Sequence, residues 1–361
     1  MKLPIVVPCL LAALSGLTFG QANPAGSHNR SIVMSMQGKQ VPIDYSAPAG
    51  AAFTAEEVTV QAKGFTLAGT LLLPKSGRRP FPAVIMITGS GQQTRDEPVP
   101  LPGLKDYRPF RQIAESLAGA GIAVLRVDDR GVGGSTGRDA LAQATTSDFA
   151  DDTRAQVAYL RTRSEIDPAK IALVGHSEGG TIAPMVAASD PRIAAIVLMA
   201  GMAKRGYEIT MFQQKAILDQ MKMPEEEKNR KIAEQREVMD TVINGGDTSK
   251  IPAQAKIPWV KEFWSYDPLP TIRKVHQPIL ILQGELDQQV TADQGPMLEK
   301  AAREAGNKDV TIRVFPGLNH LFLPAKTGAL SEYSSLSVTT IGDDFLKTLT
   351  DWMRMHLQAQ H

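Results

Sequence analysis

The sequence predicts an α/β fold in which a mostly parallel central sheet has helices on both faces. One observation is a series of aliphatic runs, four to six residues long, that do not alternate between polar and apolar positions. Such runs are typical of strands that are covered on both faces. A second observation is that stretches with apolar residues at helical spacing separate these runs, and strand–helix alternation favours parallel pairing.

The predicted strands begin near residue 58. An alternating segment at 58–62 and a second one at 66–73, ended by Pro74, are the first two candidates. The buried runs that predict further strands are 83–88, 122–127, 171–175, 194–199, 279–282 and 310–315, and helices are predicted at 110–120, 148–163, 292–305 and 343–356.

One interval between predicted strands is much longer than a connection needs. About 80 residues separate the runs that end at Met199 and begin at Ile279. The first part of this interval has helical sequence rich in charged residues, and the later part contains an aromatic cluster. We predict a helical cap over an active site at about residues 203–275, and a solvated helical hairpin is the alternative. The aromatic cluster comprises Trp259, Phe263, Trp264 and Tyr266.

The N-terminus resembles a signal peptide. Lys2 precedes a mostly apolar run at 3–19, and small residues follow, so we expect cleavage after Gly20 or Ala22. An uncleaved membrane anchor is the alternative, although the run is short for spanning a bilayer. We therefore predict that residues 1–22 are a signal peptide and that the protein is periplasmic or secreted. After cleavage, no stable insertion into a membrane is expected.

Composition excludes several other classes of protein. Of the 361 residues, 43% are hydrophobic and 21% are charged, as in ordinary globular proteins. The net charge of +1 gives no reason to expect nucleic acid or an acidic membrane as the main partner. The single cysteine, Cys9, excludes an internal disulfide and a cysteine-based metal cluster.

Residues 23–55 are rich in Gly, Ser, Pro and Ala, and predict a linker or a loosely docked N-terminal arm.

The motif GHSEGG at residues 175–180 predicts a nucleophilic serine. It fits the pattern G-x-S-x-G directly after a buried run and before a helical stretch, which is the context that pattern requires. Glycines at 175 and 179 leave room for a sharp strand-to-helix turn. The turn exposes Ser177 to substrate, and the N-terminus of the following helix favours negative charge there.

A serine hydroxyl needs a general base, and the base needs an orienting carboxylate. Among six histidines, His320 is the candidate because it follows the run at 310–315, at the carboxyl edge of the sheet. His176 adjoins the serine and is expected to point elsewhere on the turn. Asp287, after the run at 279–282, is the predicted carboxylate, and Glu285 is its competitor.

The oxyanion of an acyl-transfer reaction needs backbone N–H donors. One is expected from Glu178, the residue after the predicted nucleophile. The other is expected from the glycine-rich loop after the run at 83–88, where Ser90 is the first choice and Gly91 or Gln92 are alternatives. A second glycine-rich stretch at 127–137 lacks the spacing of a phosphate-binding loop. It predicts a structural loop beside the pocket, with Arg130 in a salt bridge.

These motifs together resemble the α/β-hydrolase superfamily, and most of all its bacterial serine-aminopeptidase-like and dienelactone-hydrolase-like esterases. The order serine, aspartate, histidine is the order that this fold uses. One departure is Thr88, which stands where many relatives have a histidine in the oxyanion loop. The similarity covers about residues 56–357 and rests on TGSG (88–91), DRGVG (129–133), GHSEGG (175–180), GELD (284–287) and GLNH (317–320).

The resemblance and the ordered residues imply a serine hydrolase, with a carboxylesterase acting on small or medium acyl esters as the first choice. Ser177, His320 and Asp287 would form the triad, and no metal or organic cofactor is needed. The expected partner is a small-molecule ester. A peptidase is an alternative that would need a cap carboxylate for the substrate amine, such as Glu262 or Glu208. A non-catalytic binding protein on the same scaffold is the other alternative.

Overall fold

The computed structural model describes residues 43–99, 101–104 and 106–358. The predicted signal peptide and most of the predicted arm lie outside these residues. Within the described part, eight strands form one sheet. They are β1 (Phe53–Gln61), β2 (Thr66–Pro74), β3 (Phe81–Ile87), β4 (Ala123–Val127), β5 (Ile166–His176), β6 (Ile193–Met199), β7 (Ile279–Gly284) and β8 (Val310–Phe315).

The sheet order is β1-β2-β4-β3-β5-β6-β7-β8. β2 pairs antiparallel with both β1 and β4, and every other neighbouring pair is parallel. The predicted α/β fold with a mostly parallel sheet is therefore confirmed. The carboxyl ends of β3, β5, β7 and β8 lie along the same edge, and the loops that follow them contain the predicted site residues.

The helices connect successive strands and fill the interval between β6 and β7. Short 3-10 turns at Pro102–Leu104 and Leu330–Ser335 flank the carboxyl edge. The helices are α1 (Pro109–Gly119), α2 (Arg138–Leu141), α3 (Thr146–Thr162), α4 (Gly179–Ala187), α5 (Gly206–Gln220), α6 (Glu225–Asn244), α7 (Pro258–Ser265), α8 (Leu269–Ile272), α9 (Gln294–Glu304) and α10 (Asp343–Gln358).

Two apolar cores cover the two faces of the sheet. In β3, Ile85 faces the core formed with α3, α4 and α9, while its neighbours Val84 and Met86 face the core formed with α1 and α10. Successive side chains of a strand point to opposite faces, so a strand between two cores must be apolar throughout. This explains why the runs do not alternate.

The described end of the predicted arm is attached to the body. Residues 43–52 pack against the body: the guanidinium of Arg95 lies 4.1 Å from the ring centre of Tyr45, and Arg111 donates hydrogen bonds to the carbonyls of Asp44 and Ser46. β1 begins at Phe53, so the sheet also includes the last three residues of the predicted arm.

The interval between β6 and β7 contains α5 to α8, and we call residues 206–272 the insertion. It has an apolar core of its own, centred on Met239, Val260 and Trp264, with Met202 and Val290 of the body packed against it. Of the helices in the described residues, none combines the length and the apolar character that a bilayer crossing would require.

Candidate active site

Ser177 lies on a tight turn between β5 and α4, at the carboxyl edge of the sheet. Its φ of 53° is in the left-handed region, which is strained for a residue with a side chain. A side chain at Gly175 would collide with the backbone of Gly179, and one at Gly179 would collide with the backbone of Ile87. The glycines of the motif are therefore required by close backbone packing, and the turn projects the serine from the strand.

His320 and Asp287 come together from the turns after β8 and β7. The Nδ1 of His320 is 2.8 Å from Oδ2 of Asp287. The other oxygen of Asp287 accepts hydrogen bonds from the N–H groups of Gln289 and Val290, at 2.8 and 2.9 Å. These contacts fix the carboxylate, which in turn fixes the orientation of the imidazole.

Glu285, the competing carboxylate, has a different environment. It is exposed, and its Oε2 accepts a hydrogen bond of 2.9 Å from the N–H of Gly317. The structure thus brings Asp287 to His320 and leaves Glu285 as an anchor of the turn after β8.

Ser177 and His320 line the same apolar cavity, which has a volume of about 90 Å³. Both side chains are buried, and within the described residues neither Oγ of Ser177 nor Nε2 of His320 has a hydrogen-bond partner. The hydrogen bond between them is thus not formed in this state; such contacts are often long in free enzymes and tighten with substrate. The apolar wall of the cavity includes Val99, Leu101, Met199, Phe322, Leu330 and Ile341.

The loop after β3 has free backbone donors beside Ser177. The N–H of Gly89 donates to Glu97 and the N–H of Gln93 donates to Asp129, at 2.6 and 2.8 Å. Across the described chain, the N–H groups of residues 90–92 and of Glu178 find no protein acceptor. Ser90 and its two alternatives therefore all remain available as oxyanion donors, together with Glu178.

Asp129 fixes both ends of this loop. Its Oδ1 accepts a hydrogen bond of 2.9 Å from the hydroxyl of Thr88, its Oδ2 accepts the N–H of Gln93, and its own N–H donates to the carbonyl of Gln93 at 3.0 Å. Burial raises the pKa of Asp129 to about 8. Thr88, the departure from the family pattern, thus anchors the loop through its hydroxyl.

Arg130 has the structural role that the sequence predicts. Its Nε donates to Oδ2 of Asp152 at 2.7 Å, and its guanidinium lies 4.9 Å from the ring centre of Phe65. Burial raises the pKa of Asp152 to about 6, against the lowering effect of Arg130. The pair holds the 127–137 loop against α3.

The side chain of Glu178 connects the turn of Ser177 to the insertion. Its Oε1 accepts hydrogen bonds from the hydroxyl of Thr146 at 2.5 Å and from Nε1 of Trp259, in α7, at 2.7 Å. Burial raises the pKa of Glu178. The sequence analysis missed this role of the side chain, although an acidic residue between a buried strand and an apolar helix was a signal that it needs buried partners.

His176 does not point away from the site, contrary to the expectation. Its ring centre lies 4.9 Å from that of His320, and its Nε2 is 3.0 Å from the carbonyl oxygen of His320. Its Nδ1 is 3.0 Å from Oε1 of Glu97, a residue that the sequence analysis did not single out. No local motif marks Glu97, because His176 is 79 positions away in the chain.

The two carboxylates considered for a substrate amine have protein partners. Glu262 accepts hydrogen bonds from the N–H and the hydroxyl of Ser147. Glu208 accepts the N–H of Arg205 at 3.1 Å and so caps the start of α5. Both carboxylates therefore stabilise local structure in this state.

The chain matches the model of a known protein family, described as serine aminopeptidase, S33, over residues 103–325. Among curated proteins, the esterase EstD of Thermotoga maritima is 27% identical over 281 residues, which are 78% of this chain and 62% of that protein. The chain thus aligns with less than two thirds of the length of this relative.

Solved structures of two esterases are similar in fold. The Pyrococcus furiosus esterase Pf2001 has a TM-score of 0.55 at 16% identity, over 87% of this chain and 96% of that one. Est1E of Butyrivibrio proteoclasticus, in a structure with ferulic acid bound, has a TM-score of 0.55 at 19% identity, over 84% of this chain and 100% of that one. At such identities, the likeness shows a shared fold.

Proposed function

This chain belongs to the serine aminopeptidase S33 family of α/β hydrolases, and from that premise we propose that it is a carboxylesterase acting on short acyl esters through Ser177, His320 and Asp287. One observation carries the proposal. The buried Oγ of Ser177 and Nε2 of His320, both without partners in the described chain, share one apolar cavity, while Asp287 binds the opposite nitrogen of the same imidazole.

The mechanism follows from this arrangement. A carboxylate accepts hydrogen bonds, so Asp287 keeps the proton of neutral His320 on Nδ1 and leaves Nε2 free as a base. Ser177 attacks the ester carbonyl while Nε2 takes its proton. The N–H groups of Glu178 and Ser90 stabilise the oxyanion, and the protonated imidazole then gives its proton to the departing alcohol. Water, activated by His320, hydrolyses the acyl-enzyme.

The cavity supports a preference for short acyl chains. Its volume of about 90 Å³ is far below the roughly 300 Å³ at which pockets for drug-sized ligands begin, so the cavity favours a small acyl group. Its wall is mainly aliphatic and aromatic, which favours a hydrocarbon chain over a charged one. We therefore expect propionyl and butyryl esters to be better substrates than long-chain esters.

Peptidase activity is the second candidate, because the family description names aminopeptidases. Two observations favour the esterase. The relative EstD is described as an esterase. In addition, Glu262 and Glu208 already accept hydrogen bonds from protein groups.

The decisive experiment uses p-nitrophenyl esters of graded acyl length beside aminoacyl-nitroanilides. We expect wild-type protein to hydrolyse the short esters faster, and the Ser177→Ala variant to lose at least about a thousandfold in kcat. A fluorophosphonate probe should label wild type and the Ser164→Ala control, whose serine is exposed at the opposite edge, but not Ser177→Ala. Undiminished turnover by Ser177→Ala would refute the mechanism, and faster nitroanilide cleavage would favour the peptidase.

We also propose that the protein is exported, on the basis of the signal peptide predicted at residues 1–22. The test is mass spectrometry of protein recovered from the periplasm or the medium. A mature chain beginning at Gln21 or Asn23 supports the proposal. A full-length chain that remains in the cytoplasm would contradict it.

A further inference from the structure

A buried pair of side chains connects the oxyanion loop to the turn of His320. Oε1 of Glu97 accepts the N–H of Gly89 at 2.6 Å and is 3.0 Å from Nδ1 of His176. Nε2 of His176 donates to the carbonyl of His320 at 3.0 Å. Glu97 and His176 are each 6% exposed. Two segments that must keep a fixed separation during the reaction are thus connected through two side chains.

The partners of His176 determine where its protons are. A carbonyl oxygen only accepts, so Nε2 must carry a proton to bond with His320. Nδ1 faces a carboxylate oxygen, which favours a second proton there. Burial lowers the pKa of His176, whereas the Glu97 carboxylate, the carbonyl of His320 and the charge of Asp287 together raise it, and the net pKa is raised. With a proton on each nitrogen, His176 donates to Glu97 and to the carbonyl of His320, each at 3.0 Å.

We propose that Glu97 and His176 are positioning residues, which hold the oxyanion loop and the backbone of His320 at the separation that acyl transfer requires. The inference rests on the proposed function, since it concerns the same reaction. Neither residue touches the reacting atoms in this proposal: Glu97 acts through Gly89, which precedes the predicted donor Ser90, and His176 acts through His320.

The backbone of Glu97 supports this role. Its φ of 51° lies in the left-handed region, where a glycine is less strained by about 1 kcal/mol. A residue with a side chain at this position costs stability unless its contacts offset the strain. Here the contacts of the carboxylate that oppose the strain are the N–H of Gly89 and the ring of His176.

Loss of the connection should lower kcat more than it changes KM. Misplacement by about 1 Å can reduce a rate about a hundredfold. Glu97 and His176 also border the cavity, but its aliphatic and aromatic wall, which would bind the acyl chain, is retained in these variants. We expect Glu97→Ala to reduce kcat about a hundredfold with KM within about threefold of wild type. Glu97→Gln retains an oxygen for both N–H groups and should recover kcat to within about tenfold of wild type.

A second pair of variants tests the other half of the connection. His176→Phe keeps an aromatic ring but removes the donor to the His320 carbonyl, and should reduce kcat as Glu97→Ala does. His176→Gln can place an amide N–H near the position of Nε2, so it should recover part of that loss. These variants keep the proposal testable if Glu97→Ala fails to fold.

A matched control separates positioning from general stability. Asn307 is also buried and also binds distant backbone, donating to the carbonyls of Val275 and Gln277 at 3.0 and 2.8 Å, on the side of the sheet opposite the carboxyl edge. Asn307→Ala should lower the melting temperature and leave kcat within about twofold of wild type. If Glu97→Ala and His176→Phe retain wild-type kcat, or lose no more than Asn307→Ala, the proposal is overturned.

Labelling of the wild type by a fluorophosphonate distinguishes the two proposals. A wild type that is labelled and hydrolyses esters, with variants at 97 and 176 unimpaired, contradicts the positioning role and leaves the esterase intact. A wild type that is neither labelled nor active contradicts the esterase and, with it, the positioning role.

Discussion

Asp287 and His320 form a buried hydrogen bond of 2.8 Å between Oδ2 and Nδ1, with 1% and 2% of the two residues exposed. The backbone N–H groups of Gln289 and Val290 hold the other oxygen of the carboxylate, so its orientation does not depend on substrate. Glu285 lies two residues away on the same turn, and its hydrogen bond is with the N–H of Gly317 rather than with the imidazole.

Substitution of Asp287 should therefore have a much larger effect than substitution of Glu285. We expect Asp287→Asn to reduce kcat about ten-thousandfold, because the amide no longer favours the imidazole tautomer with a free Nε2. Glu285→Gln should retain activity within a few-fold, since its carbonyl oxygen still accepts the N–H of Gly317. Steady-state kinetics on a butyryl ester measures both. Equal losses in the two variants would contradict the assignment.

The strained turn at Ser177 predicts an unusual order of stabilities. Alanine is normally more stabilising than glycine, because glycine loses more backbone entropy on folding. At a φ of 53°, however, the alanine side chain keeps the strain and glycine removes it. We expect the free energy of unfolding of Ser177→Gly, measured by urea denaturation, to exceed that of Ser177→Ala by about 1 kcal/mol. Both variants should be inactive. The reverse order would mean that the turn is unstrained.

The raised pKa of Asp129 predicts a pH dependence of stability. Its pKa of about 8 lies above the usual value of 3.8, so between these pH values the folded chain holds a proton that the unfolded chain has lost. The free energy of unfolding should then fall as pH rises, by about 1.4 kcal/mol per pH unit from this group. Below pH 3.8 and above pH 8 its contribution should be constant.

Comparison with Asp129→Asn isolates that contribution. The asparagine can accept the N–H of Gln93 and donate to the hydroxyl of Thr88, so the loop keeps its anchors. The free energies of unfolding of both proteins are measured by urea denaturation at each pH. As the pH rises from 4 to 8, we expect the wild type to lose stability relative to the variant. A difference that stays constant would show that Asp129 titrates as an ordinary carboxylate.

The size of the cavity predicts the choice of acyl chain. Leu330 lines the cavity and is only partly buried, so Leu330→Ala enlarges the space at a modest cost in stability. We expect the preferred acyl chain to lengthen by about two carbons, as measured by kcat/KM over a series from acetyl to octanoyl esters. Val338→Ala is the control, because Val338 is exposed in the same segment. An unchanged profile in Leu330→Ala would place the acyl chain elsewhere.

Local sequence predicts much of this fold, because most strands lie between two apolar cores and must be aliphatic. β8 has the predicted bounds, 310–315, and β3 differs by two residues at its start and one at its end. β5 is longer than predicted, since it begins at Ile166 and passes through Asp167 and Pro168. There the pairing of Ile166 with Phe81 of β3 outweighs the local preference against a strand.

The site residues divide in the same way. Ser177, Asp287 and His320 each follow a recognisable strand, so their positions at one edge can be inferred from chain order. Glu97 and the ring of His176 cannot be placed in this way. The connection that they form depends on contacts between residues 79 or more positions apart, Glu97 with His176 and His176 with His320, and no periodicity or motif encodes such contacts.

The bond between Trp259 and Glu178 has a consequence for chimaeric proteins. Exchanging the insertion for that of another hydrolase would remove the indole and leave the buried carboxyl of Glu178, beside Ser177, with only the hydroxyl of Thr146 of the two donors described above. A successful graft must therefore either supply a replacement N–H at that point or change residue 178 together with the transplanted helices. Sequence variation at these two positions should accordingly be correlated, whatever compound the enzyme consumes.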